Sequence, residues 1–298
     1  MTPSLLVIAG PTASGKTDLA LRVAEQLDGE IVNADSQQVY RHFDIGTAKP
    51  SAAQLARVPH HLVSFVDPLE LDFSAARWAR RADEVIQDLH ARGKKVVLVG
   101  GTGLYLRVLL HGVVAAPARD EALRAEWEAL ADREGEATLH AKLRAVDPAS
   151  ADRLHPADRV RVIRALEIHT LSGKSASEHR AEHAFAPDRY EYRMVVLTPD
   201  RSALYEAINR RTRAMYEAGL VNETRALVER GYRTAAPMRA VGYAEALQVV
   251  DGTLTEAKAL EFTAQSTRHY AKRQFTWFKK ERGAIAVDPK DGLRVALG

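Results

Sequence analysis

Cysteine is absent from this chain of 298 residues, and no apolar run in it approaches the length of a membrane span. The missing cysteines exclude a disulfide framework and any zinc site with cysteine ligands, and they fit a reducing compartment. A spanning helix needs ~20 consecutive apolar residues, so we expect no membrane-spanning segment. Only four residues precede the first apolar run, and none is basic, so we expect no secretion signal and a cytoplasmic location.

A strong excess of charge of one sign is also lacking over the whole chain. Its 42 Lys and Arg residues against 39 Asp and Glu residues give a net charge of +3, which is a weak argument for a nucleic-acid partner. Locally, however, residues 268–282 carry six basic residues against the single acid Glu281, with four aromatic residues among them. Such a segment suits an RNA backbone with bases to stack on, although a solvated helix with a few core aromatics has the same composition.

A phosphate-binding loop is present within the first twenty residues. Gly10–Thr17 reads G-x-x-x-x-G-K-T, between the apolar run Leu5–Ala9 and the start of a helical pattern. The backbone N–H groups of such a loop cradle a di- or triphosphate, its lysine adds a charge, and its threonine hydroxyl can hold Mg²⁺. We therefore assign diphosphate or nucleotide binding to the whole loop and the metal to Thr17. The loop residues are Gly10, Pro11, Thr12, Ala13, Ser14, Gly15, Lys16 and Thr17.

Apolar runs that alternate with helical patterns predict an α/β fold. The expected strands lie at 5–9, 30–34, 61–65, 96–99 and 193–197, and the clearest helices at 17–26, 74–92, 204–217 and 256–281. This alternation predicts a parallel sheet flanked by helices, as in P-loop NTPases. Residues 113–186 contain no good strand and are rich in Ala, Glu and Arg, so we expect an all-helical insertion domain at 113–186 in a core of 1–112 and 187–298.

Two polar residues follow predicted strands. Asp35 follows 30–34, at the sheet edge where ligands bind, and it could hold Mg²⁺, act as a general base or cap a turn. The strand 96–99 runs into Gly100-Gly101-Thr102, whereas a hydrolysing NTPase usually ends this strand with an acid. Thr102 offers a hydroxyl instead, which argues against a motor-type ATPase.

Taken together and in order, segments over nearly the whole chain resemble the bacterial tRNA dimethylallyltransferase family. The matching segments are Gly10–Thr17, Asp35–Tyr40, Asp44–Pro50, His60–Leu62, Gly100–Tyr105, Arg153–Pro156, Arg164–Glu167, Ala240–Tyr243 and Tyr270–Phe278. The resemblance implies transfer of a dimethylallyl group from dimethylallyl diphosphate to N6 of adenosine 37, in tRNAs that read codons starting with U. It also implies a Mg²⁺ cofactor and the tRNA anticodon stem-loop as partner, and we expect a monomer.

The resemblance also implies roles for individual residues. Asp35 would accept a proton from the amine, Thr102 would lie at the reacting centre, and Arg211 would contact the diphosphate unless it is an ordinary surface arginine. Arg161 and Arg164 are three residues apart on one helix face of the insertion. The residues expected to contact tRNA are Asp35, Ser36, Gln37, Gln38, Thr102, Arg124, Val160, Arg161, Val162, Ile163, Arg164, Arg239, Val241, Gly242, Tyr243, Lys272, Arg273, Gln274, Phe275, Thr276, Trp277, Phe278 and Lys279.

Two positions depart from the family pattern, and other functions stay open. Ala244 stands where the family often has a basic or longer polar residue. Lys279 stands where an arginine is common, and a lysine keeps the charge but cannot bind a phosphate through two parallel hydrogen bonds. The alternatives are a P-loop nucleoside or nucleotide kinase, prenyl transfer to free AMP, and an RNA-binding module with a nucleotide sensor. His179 and His183, four residues apart, are interpreted as a solvated helix surface and not as a metal site.

Overall fold

The computed structural model describes residues 4–70, 73–112, 116–183 and 188–298, except for the side chain of His183. The chain divides into two compact units, one of residues 1–110 and 189–298 and one of residues 111–188. We call them the core unit and the inserted unit. The boundaries expected from the sequence, 112/113 and 186/187, fall at residues 113–115 and 184–187, which lie outside the described residues.

A six-stranded, fully parallel sheet runs through the core unit, with the strand order β3-β2-β4-β1-β5-β6. Together with the flanking helices it confirms the predicted α/β fold class. The strands are β1 (Ser4–Ala9), β2 (Gly29–Asn33), β3 (His60–His61), β4 (Lys95–Gly100), β5 (Glu191–Leu197) and β6 (Ala284–Val287).

Fourteen α-helices occur in the described residues, five of them, α5–α9, within the inserted unit. They are α1 (Lys16–Gln26), α2 (Ala52–Arg57), α3 (Ala75–Ala91), α4 (Gly103–His111), α5 (Glu121–Glu134), α6 (Glu136–Val146), α7 (Pro148–Arg153), α8 (Arg159–Ser172), α9 (Ala176–His183), α10 (Arg201–Glu217), α11 (Leu220–Glu229), α12 (Tyr243–Val250), α13 (Glu256–Phe278) and α14 (Gly292–Leu297).

The sheet is buried on both faces, which is why its strands read as continuous apolar runs. Successive side chains point to opposite faces. In β1, Val7 and Ala9 therefore pack in one core with Trp78 of α3, whereas Ile8 packs in a second core with Leu21 of α1. The two cores hold helices on the two faces and leave the strand ends free to carry ligand-binding loops.

Three adjacent strands end at the same edge of the sheet. The central strands lie in the order β2-β4-β1, and all three are parallel. The segment after β2 carries Asp35, the turn after β4 carries Thr102, and the loop after β1 is Gly10–Thr17. Strand order thus brings together three segments that are far apart in the sequence.

Two parts of the sheet differ from the expectation. The predicted strand 61–65 is wrong beyond its first residue, because Leu62 and Ser64 adopt left-handed backbone conformations with φ of 62° and 54°. Only His60–His61 pairs with β2, and a single further bridge joins Tyr40 to Val66. The edge strand β6 was missed, because its Ala-Ile-Ala-Val run is short, follows the basic segment closely and buries only Val287.

The inserted unit is helical throughout its described residues and has its own apolar core. Side chains from α5, α6 and α8 meet there, among them Leu139, Leu143 and Ile163. Aspartates cap three of its helices, since Asp120, Asp147 and Asp158 each accept a hydrogen bond from a backbone N–H of the first turn.

Candidate active site at the carboxyl edge of the sheet

The loop after β1 has the backbone geometry of a phosphate cradle. α1 begins at Lys16, Gly15 is its N-cap with φ of 87°, and no side chain caps the helix. The first-turn amides of α1 are therefore available to an anion, and the helix dipole favours one there. Gly10 allows the close approach to β5, because a Cβ at this position would lie 2.9 Å from the Leu197 carbonyl oxygen.

Two cations meet at this loop. Lys16 Nζ donates to the Pro11 carbonyl oxygen at 2.6 Å. Burial, with the nearby positive charge of Arg211, lowers the pKa of Lys16 to about 8. Burial also lowers the pKa of Arg211. Desolvated cations at a helix N-terminus form a site that a diphosphate would neutralise.

Packing between two helices places Arg211. Leu204 and Ile208 of α10 pack against Ala271 of α13 in a small buried cluster. Arg211 follows Ile208 by one helical turn, so its side chain lies on the same side of α10, towards the loop. A half-buried arginine that lines the loop cavities is not an ordinary surface residue.

Asp35 and Thr102 lie on neighbouring loops. Asp35 Oδ1 accepts hydrogen bonds from the backbone N–H of Gln37 at 2.8 Å and of Gln38 at 3.4 Å. Thr102 Oγ1 accepts from the Ser36 N–H at 2.9 Å and donates to Ser36 Oγ at 3.2 Å. The turn-capping role considered for Asp35 is thus real, and both of these hydrogen bonds use Oδ1 and not Oδ2.

Three cavities surround these residues. We call the space of about 70 Å³ between Lys16, Thr17 and Asp35 the loop cavity, and a larger space of about 300 Å³ the large cavity. A third, of about 290 Å³, lies on the outer side of the loop against Arg210 and Arg211. The loop cavity and the large cavity share Thr12, Asp35, Arg211 and Tyr270, so the phosphate loop and the large cavity form one continuous site.

The donor atoms in the loop cavity fit Mg²⁺ in part. The Thr17 hydroxyl and the Asp35 carboxylate line the same cavity. Mg²⁺ binds through one or two such oxygens and completes its shell with phosphate oxygens and water. The described residues contain no cluster of three His, Cys, Asp or Glu side chains that could hold a metal without a substrate.

Several known proteins are similar to this chain in sequence and in fold. The family model described as IPP transferase matches residues 38–281. A tRNA dimethylallyltransferase of Myxococcus xanthus is 60% identical over 296 residues, which cover 99% of this chain and 96% of that protein. One from Geobacter sulfurreducens is 49% identical over 278 residues, which cover 93% of this chain and 89% of that protein.

This chain belongs to the IPP transferase family. Solved structures agree. The tRNA isopentenylpyrophosphate transferase of Bacillus halodurans superposes with a TM-score of 0.72 at 39% identity, over 99% of this chain and 94% of that one. A eukaryotic dimethylallyltransferase acting on tRNA superposes with a TM-score of 0.81 at 28% identity, over 97% of this chain and 74% of that one.

In this IPP transferase, the residues expected to contact tRNA fall into groups with different surroundings. Six of them line the large cavity: Asp35, Ser36, Gln37, Arg239, Val241 and Arg273. Gln38 lies at the loop cavity and donates from Nε2 to the carbonyl oxygens of Thr47 and Ala48. These residues are placed to meet a substrate that enters the large cavity.

The basic-aromatic segment of the IPP transferase has two faces. Lys272, Arg273, Thr276 and Lys279 are exposed on α13 or just after it, whereas Gln274 and Phe278 are buried and Phe275 is half-buried. Trp277 is half-buried under the Arg107 guanidinium, which lies 4.3 Å from the ring centroid. The segment is therefore a helix with core aromatics on one side, and RNA binding by its exposed basic side stays a prediction.

Tyr243 and Gly242 are placed for a structural task. The Tyr243 side chain is wholly buried, its hydroxyl donates to Glu223, and it accepts from the Gly46 N–H at 3.1 Å. The Glu223 carboxylate also accepts from the Asp44 and Ile45 N–H groups. Gly242 caps α12 and donates its N–H to Glu245 at 2.7 Å. Tyr243 thereby holds the loop that presents Gly46 and Thr47 to the large cavity.

The predicted arginines of the inserted unit also differ from one another. The Arg161 side chain is 72% exposed and pairs with Asp158. Arg164, in contrast, donates to the buried Glu167 at 2.6 Å and to the Pro117 carbonyl oxygen at 2.7 Å, and Arg124 lies 3.8 Å from the same carboxylate. Val160 is exposed, whereas Val162 and Ile163 pack in the core of the unit.

The sequence reasoning missed several residues that line the large cavity of this IPP transferase. Thr263, Thr267 and Tyr270 recur along one face of α13, and a helical-period search of that segment could have found them. Burial raises the pKa of the Tyr270 hydroxyl, and the negative charge of Asp35 adds to the rise. Tyr270 therefore stays protonated beside Asp35.

His179, one of the two histidines on α9, contacts the last residue of α8. Its Nε2 lies 3.1 Å from Ser172 Oγ. The side chain of His183, the other member of the pair, lies outside the described residues. No helix among the described residues is long and apolar enough to cross a membrane.

Proposed function

We propose that this IPP transferase moves a dimethylallyl group from dimethylallyl diphosphate to N6 of adenosine 37, in tRNAs that read codons starting with U. The products are N6-dimethylallyladenosine and diphosphate. The observation that carries the proposal is that the phosphate loop and Asp35 line two adjoining cavities, and that Thr102 hydrogen-bonds to Ser36 in the wall of the larger one. Such a site can hold a diphosphate at one end and a base at the other.

The diphosphate end stabilises the leaving group. As the bond between C1 of the allyl group and its oxygen breaks, the electron pair leaves with the diphosphate. Lys16 and Arg211 line the cavities at the loop and the first turn of α1 has no side-chain cap, so these groups would supply positive charge to the diphosphate. A group preorganised in this way needs no rearrangement as charge develops in the transition state.

The large cavity receives the nucleophile. Adenine N6 is a weak nucleophile because its lone pair is delocalised into the ring. As N6 bonds to C1 it loses one proton, and Asp35 Oδ2 is the acceptor on the cavity wall. Thr102, fixed by its two hydrogen bonds to Ser36, would orient the amine or the bridging oxygen beside it.

Mg²⁺ would be held by Thr17, and when bound it would supply positive charge to the diphosphate. Asp35 is assigned to the proton and not to the metal, because its Oδ1 accepts two backbone N–H groups and its Oδ2 is the proton acceptor.

The RNA would be bound by exposed cations, both at the large cavity and outside it. Adenosine 37 must leave its stack to reach Asp35, and base flipping of this kind needs backbone contacts on both sides of the base. Arg239 and Arg273, which are exposed and line the large cavity, would supply such contacts together with the exposed Lys272, and further cations outside the cavity would include Arg161 on the inserted unit. We further propose that the protein acts as a monomer in the cytoplasm.

A single labelling experiment tests this function. Purified protein is incubated with tRNA, Mg²⁺ and dimethylallyl diphosphate labelled in the allyl group, and the tRNA is digested and analysed by mass spectrometry. We expect label in N6-dimethylallyladenosine at position 37 only. Parallel reactions offer free AMP as acceptor, or ATP labelled in its γ-phosphate as donor.

The outcomes separate the alternatives. Faster labelling of AMP than of tRNA would identify a free-nucleotide prenyltransferase, and transfer of labelled phosphate from ATP would identify a kinase. Binding of tRNA with no covalent product would leave an RNA-binding module. Each of these results would contradict the proposal.

A further inference from the structure

Gln274 joins the phosphate loop to the Thr102 turn. Its Oε1 accepts a hydrogen bond from the Thr12 N–H at 2.8 Å, and its Nε2 donates to the Gly101 carbonyl oxygen at 2.9 Å. The residue is buried, with 6% of its surface exposed, and it lines the loop cavity. One side chain from α13 therefore bridges the loops that follow β1 and β4.

The orientation of this amide follows from its partners. A backbone N–H can only donate and a carbonyl oxygen can only accept, so the oxygen of Gln274 must face Thr12 and the nitrogen must face Gly101. A carboxylate, which has no donor, satisfies only the first of these partners. Glutamine is the side chain of this length that satisfies both.

Gly101 provides the space for this bridge. A Cβ at position 101 would lie 2.3 Å from Gln274 Nε2, so any larger residue there must displace the amide. The glycine adjoining Thr102 thus has a definite purpose. It lets the Gln274 amide approach the backbone closely.

We propose that Gln274 is a positioning residue for prenyl transfer, which keeps the phosphate loop in register with Thr102. Under the proposed function, on which this inference rests, the phosphate loop holds the breaking C–O bond and the Thr102 turn faces the forming C–N bond. Both bonds change in one step, and an error of about 1 Å in their relative position can cost about 10²-fold in rate. The bridge therefore acts on kcat and not on the binding of either substrate.

The first test is Gln274→Leu, with Gln265→Leu as the matched control. Gln265 lies on the same helix but is exposed. We expect Gln274→Leu to lower kcat by about 10²-fold, as a misplaced reacting pair does, with little change in KM for tRNA or for dimethylallyl diphosphate. The control should keep the wild-type kcat, and thermal unfolding of both variants shows whether they fold.

Gln274→Glu gives a readout that a purely structural role would not move. When the new carboxyl is protonated it can donate to Gly101 and still accept from Thr12, and when it is ionised it opposes the Gly101 carbonyl. The ratio of variant to wild-type kcat should therefore rise as pH falls. The ionisable groups that line the same cavity are Lys16, Asp35, His60, Arg211 and Tyr270, and they cancel in the ratio because both proteins contain them.

The outcomes are distinct. Loss of kcat in Gln274→Leu, with a pH-dependent rescue in Gln274→Glu, supports the positioning role. The wild-type kcat in Gln274→Leu, or a rise in KM for tRNA alone, would overturn it and return Gln274 to the RNA contacts. Absence of transfer by the unaltered protein would instead overturn the proposed function.

Discussion

Lys16 and Arg211 lie at the phosphate loop in surroundings that disfavour their charge. The ordinary pKa of a lysine is 10.5, and here burial and the Arg211 charge lower that of Lys16 to about 8. Between these values the unfolded chain binds a proton that the folded protein has released. By linkage, the contribution of Lys16 to the free energy of unfolding therefore rises with pH over that window. The site gives up some stability to keep a desolvated cation for its ligand.

The first residue-scale prediction concerns this lysine. Donor binding requires the charged form, so KM for dimethylallyl diphosphate should rise as pH increases through about 8. Lys16→Arg keeps its charge throughout, because arginine does not deprotonate in this range, and it should show a flat profile. Steady-state kinetics between about pH 7 and about pH 9, roughly 1 unit either side of the Lys16 pKa, checks both. An equally steep rise in Lys16→Arg would assign the effect to another group.

The second residue-scale prediction concerns Asp35. Asp35→Asn keeps an oxygen that can accept from the Gln37 N–H, but it removes the base. We expect kcat to fall by about 10²–10⁴-fold, the usual value of general-base assistance, while tRNA affinity is unchanged. Asp67→Asn, on an exposed turn where Asp67 accepts from the Leu69 N–H, is the matched control. A near-native kcat in Asp35→Asn would remove Asp35 from this role.

At the scale of single elements, α8 carries two arginines with separate tasks. Glu167 has a fully buried side chain, accepts from the Asp120 N–H at 2.7 Å, and is compensated by Arg164 and Arg124. A buried carboxylate is stable only while such partners remain. The Arg161 guanidinium pairs with Asp158, and its side chain is 72% exposed. Spacing on the helix did not distinguish these two roles.

Single substitutions on α8 should separate them. Arg164→Ala should lower the free energy of unfolding by about 1.5–3 kcal/mol, the value of hydrogen bonds to a charged group. Arg161→Ala should leave stability within about 0–1 kcal/mol, as exposed ion pairs do. It should also weaken tRNA binding and reduce the log–log salt slope by about 0.7–0.9 per lost phosphate contact. Thermal unfolding and tRNA Kd across a salt series measure these effects. Equal Kd and slope for Arg161→Ala and wild type would remove Arg161 from the RNA contacts.

At the scale of the whole molecule, the inserted unit leaves and re-enters the core unit at one place. The Arg189 N–H donates to the Leu110 carbonyl oxygen at 2.8 Å, so the two ends of the core unit meet. A short linker can therefore replace residues 111–188 without stretching the chain. The core unit keeps its sheet, its two apolar cores and the phosphate loop in such a protein.

Excision of the inserted unit should separate donor binding from RNA binding. With residues 111–188 replaced by a short Gly-Ser linker, we expect a cooperative unfolding transition and an unchanged Kd for dimethylallyl diphosphate. The affinity for tRNA should fall by at least about tenfold, or 1.4 kcal/mol. Calorimetric titration with each ligand measures both. A shortened protein that binds tRNA as tightly as the full chain would confine RNA recognition to the core unit.

The local sequence was sufficient to predict the parts of the fold and of the site that consecutive residues form. Gly10–Thr17 specified its own loop, because the strand before it, its glycines and the helix after it are contiguous. The central strands β1, β2, β4 and β5 were predicted to within two residues at each end, since a strand buried on both faces contains a run of apolar residues. The family resemblance, carried by ordered motifs, is confirmed by the relatives.

Tertiary structure decided which polar residues face the site and which hold it together. Gln274, Tyr243 and Arg164 resemble ligand contacts in the sequence, yet each also hydrogen-bonds to a backbone group that is distant in the chain. Tyr270, in contrast, reaches the cavity only because α10 and α13 pack together. Sequence determines the chemical character of a side chain and its local conformation. Its partner depends on strand order and helix packing, which bring together residues that no local pattern connects.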